Sequence, residues 1–164
     1  MAHIHNVVDT DAHYKINGAT RKITNVDETK RTLVQHDHNS ERLTFEIQRR
    51  IDGHDFTSCN IVQIHFKNED AFGRNKSTGV YPVGDLHVKS DDNEVVMLSW
   101  LVSEEATKFA GSLSFSIRFA CVEEGVTEYA WHTIEYNEIT ILACVYIFDS
   151  SIVTEYQAAE GVSV

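Results

Sequence analysis

Proline is almost missing from this chain, which carries one in 164 residues, and no low-complexity tract takes its place. Both features argue against disorder over most of the length. Cysteine is scarce too. Cys59, Cys121 and Cys144 are odd in number and widely spaced, with no CxxC pair, so they suggest neither a zinc ribbon nor a redox motif. They allow at most one disulfide, and three buried thiols in a reducing cytoplasm is the simpler expectation. Positive charge is short: 14 Lys and Arg against 25 Asp and Glu leave a formal net charge of -11. Phosphate backbones repel such a surface, so nucleic acid is not an expected partner. The one compact basic stretch, Arg49–Arg50, is flanked by Glu46 and Asp52. No stretch approaches the ~20 apolar residues of a spanning helix, and no apolar h-region opens the chain. Neither a membrane partner nor ordinary secretion is expected. GxSxG, HExxH and phosphate-loop motifs are absent, and no cysteine stands beside a recognisable base, so an enzyme is not expected.

What is present is alternation. In RLTFEIQR, Leu43, Phe45 and Ile47 share one face, and Arg42, Thr44, Glu46 and Gln48 the other; period two predicts a half-buried strand. NIVQIHFK repeats the pattern with Val62, Ile64 and Phe66. SLSFSIRFACV sets Leu113, Phe115, Ile117, Phe119 and Cys121 against three serines and Arg118, which suits a long strand over a core. EVVMLSWLVS is nearly continuous in apolar residues and predicts a strand buried on both faces. YAWHTIEY and EITILACVYIF read as further strands, the first joined to SLSFSIRFACV by a hairpin with Gly125 in its loop. Short strands are expected at HYKI, TRKIT, KRTLVQ and DLHVK. SEEATKFAG alone argues for helix, with Ser103 as N-cap, and spans two turns at most. KNEDAFGRNKSTGVYPVGD reads as a long loop over one end of the molecule.

These elements predict an all-β fold: an antiparallel β-sandwich, Ig-like or jelly-roll, with at most one short helix. Cys59, Trp100 and Cys121 follow the Ig order, but the spacing is too wide and Phe119 occupies the tyrosine-corner position. Residues 1–25 lack apolar alternation and read as an N-terminal arm or attachment segment, 26–156 as the sandwich, and 157–164 as a flexible tail.

Candidate chemistry is thin. His3 and His5 form one His-x-His, His36 and His38 another, and on extended chain each pair faces one side. Three arrangements fit. Both pairs can meet around tetrahedral zinc; three copies of His3 and His5 can meet on a threefold axis around an octahedral ion; or the imidazoles are surface and hydrogen-bonding groups. His3 and His5 are the candidate metal ligands, between subunits; otherwise no cofactor is expected. Asp52, His54 and Asp55 in IDGHDF form the densest polar cluster, which an Asp-Gly turn explains. Trp131, Tyr129, Tyr136 and Tyr146 are candidates for a sugar-stacking platform, although alternation sends both Trp100 and Trp131 to the core.

HDHNSERLTFEIQRRIDGHDFTSCNIVQIHF, GVYPVGDLHV, MLSWLVSEEATKFAGSLSFSIRFACV and YAWHT, with HNVVDTDAHYKINGATRKITN before them, resemble small virion structural proteins of tailed phages and prophages of Gram-positive gut bacteria. The similarity runs from about residue 3 to residue 148. The resemblance implies a baseplate, tail or fibre-associated component with no catalytic residues. It implies a protein made in the bacterial host cytoplasm and located on the virion, with other virion proteins as partners. A homo-oligomer is expected, a trimer first. A capsid head decoration protein and a host-surface glycan-binding module are the alternatives.

Overall fold

Leu43, Phe45 and Ile47 are buried, as are Leu113, Phe115, Ile117 and Phe119, so period-two alternation does select the core face. The structure is a computed structural model and describes residues 12–26 and 32–145. Its strands are β1 (Tyr14–Ile16), β2 (Ile23–Asn25), β3 (Leu33–Val34), β4 (Arg42–Gln48), β5 (Arg50–Ile51), β6 (His54–Asp55), β7 (Ile61–Asp70), β8 (Lys76–Pro82), β9 (His87–Lys89), β10 (Asp92–Leu101), β11 (Gly111–Glu123), β12 (Val126–His132) and β13 (Tyr136–Leu142).

The strands form two main sheets. The first has the order β2-β1-β4-β10-β9 and the second β3-β13-β11-β7-β8, with β12 also paired to β11. β11 is the spine of the second sheet. It pairs with β7 from Gly111 to Ala120 on one side, and with β13 and then β12 on the other. The inner faces share one apolar core. Phe115 of the second sheet meets Tyr14, Phe45 and Trp100 of the first, with ring centroids 6.3, 5.6 and 5.2 Å apart in edge-on geometry, an arrangement that favours aromatic pairs. The expected all-β sandwich is therefore present. β10 is buried on both faces from Val96 to Trp100, and β11 and β12 form the expected hairpin around Gly125.

The structure corrects four details. The sandwich is not wholly antiparallel, because β1 runs parallel to β4 and β3 parallel to β13. The region read as a loop over residues 67–85 is mostly the β7–β8 hairpin. β8 is an edge strand of alternating half-exposed residues, so it carries no apolar signature, and its Gly79 and Pro82 imitate loop chemistry. Pro82 is tolerated because its side of the ladder is free, and Gly79 because the Phe66 ring lies over it, where a Cβ would stand 2.5 Å from Cζ. The helix expected at Ser103 is a 3-10 turn, Glu104–Ala106. Finally, residues 14–16 and 23–25, placed within the arm, form the short strands expected at HYKI and TRKIT, but these belong to the first sheet, and Tyr14 is only 2% exposed. These pieces are too short to show alternation. The arm's residues 1–11 and the tail, 157–164, lie outside the described residues.

Candidate docking site

The β7–β8 turn is built on one carboxylate. Asp70 accepts hydrogen bonds from the backbone N–H of Phe72 (3.1 Å), Arg74 (2.9 Å) and Asn75 (3.1 Å), and from the Asn75 side-chain amide (2.8 Å). These donors, the Arg74 N–H foremost, hold its carboxyl below the ordinary Asp range. The Asp70 and Gly73 N–H groups close the turn by donating to the Asn75 and Asp70 carbonyls. On this constrained frame Phe72 is 82% exposed, with the Arg74 guanidinium 5.7 Å from its ring centroid. An aromatic ring and an arginine on a preformed turn are what a protein–protein contact concentrates its energy in. The sequence alone does not reveal this pair, because AFGRN lies in a stretch that reads as a long loop. The recoverable signal was an Asp placed before Phe-Gly-Arg-Asn, an Asx-type turn donor set.

The residues singled out from sequence fall elsewhere. His3 and His5 lie outside the described residues. His38 accepts the Glu104 N–H at Nδ1, 3.0 Å, so it caps the short 3-10 turn. The His36 N–H donates to the Thr107 carbonyl, with φ at 73°. Among the described residues no group of three His, Cys, Asp or Glu is arranged to hold a metal ion.

IDGHDF forms the expected turn. Asp52 and Gly53 both have positive φ, 51° and 81°, and join β5 to β6, which is the backbone of a type I′ hairpin. His54 stacks on Tyr129 at 3.6 Å between ring centroids. Asp55 accepts from the Thr57 hydroxyl and N–H and from Arg49 Nε. The Thr57 bond first, then the Arg49 bond, drives its carboxyl far below the ordinary range. The cluster therefore organises a turn and offers no catalytic pair.

Trp131 is 2% exposed and Tyr136 6%, so neither provides a sugar-stacking surface, and Tyr146 lies outside the described residues. Trp131 instead packs against Phe56 and Phe119, and its ring receives the Arg21 guanidinium at 5.0 Å. The three cysteines are free and only partly buried. Cys59 and Cys121 lie 4.0 Å apart at sulfur, and burial, with the neighbouring Cys121 second, pushes the Cys59 thiol up to about 12.

No protein-family model and no curated protein matches the chain. Among solved structures, the N-terminal domain of phage TP901-1 ORF48 is similar at 16% sequence identity and a TM-score of 0.42, over 79% of this chain and 94% of that one. A likeness this distant transfers no function. No helix among the described residues is long and apolar enough to cross a membrane.

Proposed function

We propose that this chain is a virion structural protein of a tailed phage that docks in the tail, baseplate or fibre region and works by binding other virion proteins. The observation that carries the docking reading is the Phe72–Arg74 tip, an exposed aromatic that the fold holds rigid without using it in its own core. A partner suited to it offers an apolar pocket with a carboxylate at the rim. The phage assignment rests on the phrase-level resemblance over residues 3–148. The edge of β8, which among the described residues pairs only with β7, gives a neighbouring chain a place to add a strand beside the same tip. The segment before residue 12 is the second proposed attachment element.

The test is incorporation into particles. Phe72→Ala should fold normally and enter virions at sharply reduced occupancy, measured by quantitative mass spectrometry of purified particles. Wild-type occupancy for both Phe72→Ala and a chain lacking residues 1–11 would overturn the docking reading. Imaging labelled particles places the protein, and signal on the head would make it a decoration protein instead.

A further inference from the structure

The outer face of the second sheet gathers cations from adjacent strands. Cross-strand register sets His132 of β12 opposite Arg118 of β11, and Arg118 opposite Gln63 of β7. One step along, Ser116 of β11 lies opposite His65, and Ser114 opposite Lys67. All point away from the core, since the intervening Ile64, Phe66, Phe115 and Ile117 are buried. The Gln63 amide oxygen and His65 Nε2 are 3.2 Å apart, fixing that imidazole. Arg21 approaches from the β1–β2 turn and donates to the His132 carbonyl at 3.3 Å.

The chain has 25 acidic residues against 14 Lys and Arg, and several cations elsewhere are matched. Lys15 and Lys89 pair with Glu46, Arg49 with Asp55, Arg50 with Glu94, and Lys76 with Glu69. Among the described residues Arg118, Lys67, His65 and His132 have no carboxylate in ion-pair contact. Like charges on neighbouring strands repel, and an acidic chain has carboxylates in excess to relieve that. Next to Arg118 and His132, which do not line it, the face also holds a groove of about 230 Å³ walled by His65, Lys67, Ser114, Ser116 and Glu135. Glu135 is its one acidic wall.

The geometry points to an oxyanion site of the phosphate class, centred on Arg118, with His132, His65 and the Ser116 hydroxyl around it. A guanidinium offers paired N–H donors to two oxygens of a tetrahedral anion, and the hydroxyl and imidazoles supply the remaining donors. The small Ser116 side chain leaves room above β11 for the anion to sit between strands. Burial lowers the His132 pKa, and the positive charges of Arg118, His65 and Arg21 lower it further. A bound anion opposes those charges and returns the imidazole toward its protonated form. Binding of an oxyanion whose own charge stays constant, such as sulfate, therefore strengthens as pH falls through the His132 transition. The charged groups facing His132 are Arg118, His65 and Arg21.

The experiment is NMR titration of the full chain with inorganic phosphate at constant ionic strength, following backbone amides and histidine ring signals. The expected result is saturable shifts confined to Gln63, His65, Ser116, Arg118 and His132, with a rise in the His132 titration midpoint. Arg118→Gln should weaken phosphate at least about tenfold, and Arg118→Lys less than that. Spectra of Arg118→Gln that match the wild type away from this face certify its fold. Glucose 6-phosphate and glucose form the second arm. Tighter binding of the sugar phosphate than of phosphate would assign the site to a phosphorylated sugar, and equal binding to the free anion. Glucose binding as well as its phosphate would overturn the proposal. So would shifts that vanish at matched ionic strength, or that persist unchanged in folded Arg118→Gln.

Discussion

At Gly111 the backbone of β11 passes so close to β7 that a Cβ would lie 2.2 Å from the Glu69 carbonyl oxygen. Its φ of 153° is also one that L side chains rarely adopt. Gly111→Ala must move backbone against backbone, and should cost about 3 kcal/mol or more, read as a lower midpoint in urea unfolding. Asp55 provides a pH-dependent counterpart. Its folded pKa is depressed, so its contribution is present above the ordinary carboxylate range and lost as pH falls through the folded value. Asp55→Asn should therefore be less stable than wild type at pH 7, and the gap in melting temperature should close in strong acid. At this scale the sequence was legible wherever one residue's own chemistry decided the outcome, as in the Asp52–Gly53 turn and the core tryptophans. It was not legible where two distant residues decide together. Nothing local to His38 announces that it caps the turn at Glu104, and nothing local to Arg118 announces His132.

The β7–β8 hairpin makes a prediction that belongs to an element. Phe72 contributes little to the core, so Phe72→Ala should leave the melting temperature within about 1 °C of wild type, as for surface substitutions in general. Asp70→Ala removes the acceptor that four donors share; it should loosen the tip, visible as faster amide exchange at Phe72, Arg74 and Asn75. The boundary of the arm is tested the same way. Removing residues 1–11 should leave the sandwich folded. Removing residues 1–25 takes away β1 and β2, strips Tyr14 from its stack with Phe45 (5.1 Å) and its edge contact with Tyr136 (5.3 Å), and should unfold the protein. Circular dichroism separates the two. Long strands such as β4, β7, β10 and β11 were legible because burial repeats over many residues. β1 and β3 were expected at HYKI and KRTLVQ, but a strand of two or three residues has no period to fix its ends or partner, and β8 was obscured because an edge strand has only half a core face.

At the scale of the whole molecule, the proposed metal link between copies remains separable from everything above, since His3 and His5 lie outside the described residues. Native mass spectrometry with and without chelator should show a trimer that carries one ion and dissociates when the ion is removed. A monomer unaffected by chelator would return both histidines to the surface. The parallel β3–β13 pairing has a further effect during synthesis. All strands of the first sheet have been made once Leu101 has been added, yet the second sheet needs Ile141 and Leu142 of β13 to seat Leu33 and Val34 of β3. Until that late strand leaves the ribosome, the apolar face formed by Leu43, Phe45, Leu98 and Trp100 has no finished lid. A chain with contacts this far apart in sequence waits with its stickiest surface uncovered. The yield of folded protein is then governed as much by translation speed and chaperone supply as by the stability of the finished sandwich.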